Sequence, residues 1–183
     1  MCLDVTDNES VDAAYDRVSE SDTGLDVLVD NAGIAGIAGN HKPPADTVDE
    51  DFLPVFGVNL LGPVRVTHAF LPLLRASASP RLVMVSSGMG SFGITNDPSR
   101  LESTLHGLEY SSSKAALNMV TSVYAKSLPG VRVVAVDPGY TATGLNGFSG
   151  TQSVTEGTDA IVGACLDDAV DGVFVDRFGK LPW

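Results

Sequence analysis

The chain has 183 residues, with 23 acidic and 11 basic side chains and a formal net charge of -12. That balance argues against a nucleic-acid or anionic-membrane partner, since both need clustered Lys and Arg. At 44% hydrophobic and 19% charged, with no apolar run near the ~18 residues of a membrane span, the composition fits one soluble globular domain over 1–183.

The opening MCLDVTDNES has neither a basic region nor an apolar core, so a secretory signal is not expected there. A helical pattern follows, SVDAAYDRVSE at 10–20, with Ser10 as its expected cap. LDVLV at 25–29 reads as a short buried strand and runs into the turn residues DNAG, Asp30 to Gly33. The stretch VNLLGPVRVTHAFLPLL at 58–74 has helical periodicity, with Val66, Phe70 and Leu73 or Leu74 on one face. RLVMVSS at 81–87 is the second strand. A polar, turn-rich segment, GITNDPSRLESTLHG at 93–107, is long for a strand-to-helix connection and is read as a functional loop. The segment 109–128 reads as a helix with Ala116, Val120 and Val123 on one face and Tyr110, Lys114 and Leu117 on another. VRVVAV at 131–136 is a third strand ending in DPG, and GVFVD at 172–176 a weaker fourth. Strands alternating with helices predict an α/β fold, a doubly wound parallel sheet covered on both sides. Ligands bind beyond the carboxyl ends of such strands, which selects Asp30 to Gly33, Ser86 and Ser87, and Asp137 to Gly139.

Cys2 and Cys165 are too few for a disulfide framework and lack metal-ligand spacing. His41, His68 and His106 have no partner at i+4, so no metal is expected. A reduced, cytoplasmic setting is the default expectation. No histidine stands at a strand end, which argues against a Ser–His–Asp hydrolase. Tyr110 and Lys114, four apart in YSSSK, suggest proton transfer instead. A phenol near ~10 needs about 3 units, or about 4 kcal/mol, to act near neutrality. An ammonium at ~4 Å supplies about that much at an effective dielectric near 20.

YSSSK followed by AALN resembles the Y-x-x-S-K signature of the short-chain dehydrogenase/reductase family. DNAG resembles that family's NNAG turn, VNLLG its asparagine segment, VSS its serine strand and DPGYTAT its P-G-x-x-x-T turn. LDVTD at 3–7 resembles the end of its third strand. The long Ser87–Tyr110 gap and the closing LPW are similar to carbonyl-reductase-like members. The resemblance implies a Rossmann-like fold and hydride exchange between NAD(P)H, as NADP or NAD, and a small-molecule carbonyl or alcohol. It implies Tyr110 as proton donor or acceptor, and Lys114 as the cation that lowers its pKa and binds the nicotinamide ribose. Ser87 would hydrogen-bond the substrate oxygen, and Asn59 would hold a water linking Lys114 to solvent. Asp4 would sit near the adenine, and Asn31, Ala32 and Gly33 would line the adenosine side. Pro138, Gly139, Thr141 and Thr143 would hold the nicotinamide end. Small residues at 111–113 would leave room for the cofactor. The resemblance leaves a homo-oligomer and a monomer both open.

One departure from the family is large. Its fold begins with a strand, a T-G-x-x-x-G-x-G turn and a helix that binds the pyrophosphate. Here Gly24 is the first glycine, and Gly33, Gly36 and Gly39 follow a later strand. The expectation is an N-terminally truncated chain without the first two βα units. Losing two or three charge-assisted hydrogen bonds, each about 1.5–3 kcal/mol, would move cofactor binding from micromolar toward millimolar. Asp30, where the family usually has asparagine, would add negative charge near the cofactor. The alternative to an active oxidoreductase is a truncated or decayed relative that does not catalyse.

Overall fold

The structure is a computed structural model and describes residues 2–21, 23–36, 42–169 and 172–183. Gly39 and His41, singled out above, lie outside them. Five strands form one sheet in sequence order: β1 (Val27–Asp30), β2 (Arg81–Val85), β3 (Arg132–Val136), β4 (Phe174–Asp176) and β5 (Gly179–Lys180). β1 to β4 are parallel, and β5 turns back antiparallel on β4. The α-helices are α1 (Asn8–Ser19), α2 (Asp49–Phe56), α3 (Gly62–Arg75), α4 (Phe92–Thr95), α5 (Leu108–Ser127) and α6 (Val154–Leu166).

Alternate strand residues meet opposite helix layers. Leu82, Met84 and Val133 pack with Leu74 of α3 and Leu117 of α5. Val83, Val134 and Val136 pack with Ala160 and Ala164 of α6 on the other face. Burial on both faces explains why β2 and β3 are continuous Val/Leu/Met runs rather than alternating ones. Each fully buried side chain of this size contributes about 1.5–3 kcal/mol. The sheet is therefore Rossmann-like and doubly wound, and it aligns the carboxyl ends of β1, β2 and β3.

Several local expectations change. Residues 3–7 form a turn rather than the end of a strand. Asp4 accepts from the N–H and hydroxyl of Thr6, and Asp7, not Ser10, caps α1 by accepting from Glu9 N–H. Ser10 instead accepts from the Asp4 N–H at 2.9 Å. On α3 the buried residues are Val66, Phe70 and Leu74, so Leu74 takes the inward place. On α5 the packed face is the Ser113, Lys114, Leu117, Asn118 and Thr121 face, while Val123 stays exposed. The 93–107 segment holds part of α4 and a short 3-10 turn at Leu101–Thr104. Helix α6 had no counterpart among the expected elements.

β1 pairs with β2 alone among the described residues. Across its other side, Leu3 and Val5 face Leu28, Val29, Val66 and Phe70 around a cavity of about 170 Å³.

Candidate active site

Three carboxyl-terminal strand ends and the first turns of α5 converge. β2 runs out into Ser86 and Ser87, which point to different partners. Ser86 is buried and donates to Asn118 Oδ1 on α5. Ser87 is half-buried, accepts from the Met89 N–H and hydrogen-bonds the Tyr110 phenol. The chain then turns tightly through Gly88–Gly90 against α5. A Cβ on Gly90 would stand 2.6 Å from the carbonyl carbon of Lys114 and 2.8 Å from its Cβ. Only glycine lets the serine turn approach the Tyr–Lys turn this closely.

Lys114 is buried, and its ammonium donates to the Val85 carbonyl at 2.8 Å. It lies 5.8 Å from the centre of the Tyr110 ring. Burial pulls Lys114 down to about 8, opposed by the Asp137 carboxylate. Burial pushes the Tyr110 phenol up to about 12, against the lowering effect of the Ser87 hydrogen bond, and Asp137 adds to the rise. Burial thus sets the direction of the Tyr110 shift, while the Lys114 ammonium donates to a backbone carbonyl.

Asn59 is fully buried in a π-helical segment, Gly57–Leu61, between α2 and α3. Such segments widen the helix and re-aim one residue. Its Nδ2 donates to Ile34 O at 2.8 Å and Ser113 Oγ at 3.0 Å, and its Oδ1 accepts from Ile34 N–H at 2.8 Å. Both its N–H donors are thus engaged by protein, leaving one acceptor lone pair for water. Ser113 also donates to the Tyr110 carbonyl at 2.7 Å. It is a structural tie between α5 and the 31–34 turn, not merely a small spacer. In the sequence it was hidden among three identical serines.

Asn31, Ala32 and Gly33 are exposed beyond β1. A Cβ on Gly33 would lie 3.6 Å from Asn59 Oδ1 and 3.7 Å from Lys114 Nζ, so this turn opens onto both polar groups. Asp30 points away from it. Its buried carboxylate accepts from Thr67 Oγ1 at 3.0 Å, and burial pushes it up to about 7. The extra charge expected near a cofactor therefore faces α3 and is half neutralised at neutral pH. Asp4 lies exposed in its own turn and is held below the usual carboxylate range by its Thr6 hydrogen bonds.

The turn after β3 begins with buried Asp137, which accepts from Gly139 N–H at 3.0 Å. Its carboxyl is raised by burial and, less strongly, by Glu102. Asp137 Oδ2 and Glu102 Oε1 stand 3.0 and 3.1 Å from where a Gly88 Cβ would be. Glu102 was not anticipated, because nothing in the 93–107 segment marks one residue as inward. Pro138, Gly139, Thr141 and Thr143 are half-buried. Gly139 has φ +73, Thr141 Oγ1 hydrogen-bonds the Pro138 carbonyl, and Thr143 accepts from Leu145 N–H.

Residues 1–153 match the family model described as short chain dehydrogenase. The short-chain dehydrogenase anuI of Penicillium roqueforti is 38% identical over 98% of this chain and 70% of its own length. The (+)-neomenthol dehydrogenase of Arabidopsis thaliana is 32% identical over 96% of this chain and 76% of its own. Among solved structures, an NADPH-bound carbonyl reductase from chicken fatty liver superposes with a TM-score of 0.80 at 28% identity. That match covers 99% of this chain and 75% of the reductase.

Proposed function

The chain belongs to the short-chain dehydrogenase family, and we propose that it interconverts a small-molecule carbonyl and its alcohol, with NADP(H) or NAD(H) as the redox partner. The observation that carries this reading is the meeting of Ser87, Tyr110 and Lys114 at the carboxyl end of β2. The Gly33 opening fits the sugar of such a dinucleotide. A small turn faces one ammonium and one amide oxygen, and any larger side chain would fill that space. Lys114, Tyr110 and Asn31 to Gly33 would hold the cofactor from one side, and Pro138, Gly139, Thr141 and Thr143 from the other. Asp4 would serve the adenine end. When bound, the nicotinamide supplies or takes the hydride.

The chain's own residues handle the proton. With its phenol pushed up to about 12, Tyr110 is protonated at neutral pH and donates to the substrate oxygen during reduction. Ser87 bonds the phenol and the same oxygen, aligning the two. Lys114, at about 8, is mainly cationic near neutrality and stabilises the tyrosinate left behind. Asn59 and Ser113 fix the Tyr110 backbone against the 31–34 turn.

A second reading, a family member that folds but does not catalyse, is favoured by one observation. Among the described residues, no glycine-rich strand-to-helix turn stands beside β1. Among those residues no strand-to-helix turn offers a dinucleotide's phosphates a cradle of backbone N–H groups. Titration of NADPH and NADH by fluorescence, followed by turnover of a ketone and alcohol panel, separates the readings. Catalysis predicts saturable binding and a loss of about 10²–10⁴ in rate for Tyr110→Phe, the usual weight of one acid–base group. No binding to the folded chain up to millimolar dinucleotide would leave the second reading standing.

A further inference from the structure

The turn that carries Ser87 runs from Ser86 to Gly90, and one side chain holds both of its ends. Asn118 lies on α5 one helical step of four beyond Lys114, which is itself four beyond Tyr110, so the three share a face of the helix. It is buried, with 4% of its surface exposed. At the start of the turn its Oδ1 accepts from the Ser86 hydroxyl at 2.5 Å. At the end its Nδ2 donates to the Gly90 carbonyl at 3.1 Å. Backbone bonds shape the stretch between. Gly90 N–H donates to Ser87 O at 2.9 Å, and Ser91 N–H donates to Gly88 O at 3.0 Å. Ser86 N–H donates to Val136 O at 2.7 Å and ties the front of the turn to β3. None of these three bonds reaches α5. Lys114 holds the strand one residue earlier, at the Val85 carbonyl, and Asn118 holds the turn itself. The task needs one acceptor and one donor on a single short planar group, which an amide has. A carboxylate offers no donor to Gly90 O, and leucine, of similar size, offers neither partner.

We propose that Asn118 is a positioning residue for the reaction: by gripping Ser86 and Gly90 it sets Ser87 within hydrogen-bond reach of the Tyr110 phenol. The proposal rests on the reading of Ser87 and Tyr110 as the pair that meets the substrate oxygen. Asn118 acts at one remove, through the two residues that bracket Ser87. Tyr110 and Asn118 stand on the same helix, so the amide measures the serine turn against the element that carries the phenol. A turn released from it keeps its internal bonds and its tie to β3 but loses that reference. A shift of about 1 Å in a group that aligns a proton transfer costs about 10²-fold in rate.

The test reads the Ser87–Tyr110 bond directly, by ¹³C NMR of chain labelled at the tyrosine Cζ, at neutral pH and without dinucleotide. Tyr110→Phe assigns the line among the four tyrosines, and Ser87→Ala shows where it moves when the bond is lost. Asn118→Leu should move the Tyr110 line in that same direction and leave those of Tyr15, Tyr124 and Tyr140 in place. Ser86→Ala, which removes a single hydroxyl, should do the same and decides the matter if Asn118→Leu fails to fold. A Tyr110 line that stays put overturns the proposal, and so does movement of all four lines, since Asn118 would then hold the fold in general. In ketone reduction both variants should lower kcat, Asn118→Leu by about 10²-fold, with the KM for dinucleotide unchanged. Neither should have a further effect in a Ser87→Ala background, because the two positions act as one unit. Equal losses in both backgrounds overturn the proposal. Folded wild-type chain that turns over no ketone or alcohol overturns the proposed function, and this role in the reaction with it. Turnover with an unmoved Tyr110 line overturns only this one.

Discussion

Tyr110 and Lys114 carry opposite perturbations from one cause. Burial penalises tyrosinate and ammonium alike, so the phenol rises to about 12 and the amine falls to about 8. The proposed reduction needs the phenol protonated, which holds across the neutral range. It also needs the ammonium, which is lost as pH rises through about 8. The kcat/KM for carbonyl reduction should therefore be flat below that point and fall above it. Lys114→Arg, which stays charged, should remove the alkaline break; a break that persists in this variant would mean another group titrates there. Asp30 gives a stability prediction. Its folded value, about 7, lies above the ordinary 3.8, so the unfolded chain releases this proton first. Stability is fully present below about pH 4 and declines as pH rises toward 7. A shift of about three units corresponds to about 4 kcal/mol as an upper limit. Asp30→Asn should raise stability to denaturant more at pH 8 than at pH 4, and an equal gain at both would contradict a buried carboxyl here. The Tyr110–Lys114 spacing was legible in the sequence because i,i+4 is a geometric rule. The direction of the tyrosine shift was not, because desolvation is set by residues far along the chain.

Elements show the same division between local rule and distant packing. β1, β2 and β3 could be read from their apolar, β-branched runs. α6 escaped because its buried face is Gly157, Ala160 and Ala164, too small to give a hydrophobic stripe. Its capping box, Ser153 with Glu156, was the available signal. The π-helical turn that re-aims Asn59 has no comparable mark. Glycines in these elements differ in meaning. Gly90→Ala drives a methyl into the Lys114–Ala115 backbone and should cost about 1–3 kcal/mol, with activity falling as Lys114 shifts. Gly163→Ala on α6 meets nothing within 4 Å and should stabilise by about 0.5–1 kcal/mol through helix propensity. Thermal melts of the two variants should move in opposite directions. A shared direction would contradict the close approach at Gly90.

At the scale of the whole molecule, the sheet is unevenly finished. β4 is followed by the β5 hairpin, whereas β1 faces a cavity with no paired strand among the described residues. The carboxyl-terminal residues finish the other side. Trp183 stacks on Phe174 with ring centres 5.5 Å apart, and its carbonyl accepts from Gly93 N–H at 3.2 Å. Pro182 O accepts from Ser91 Oγ at 2.8 Å. Residues 182 and 183 thus clasp the segment four to six positions beyond Ser87. Removing both should lower the melting temperature and reduce carbonyl turnover together; a drop in neither would mean the clasp is idle. For anyone producing the protein, this bears on where to attach a purification handle. A handle fused directly after Trp183 would crowd a ring stack that braces the turn following Ser87.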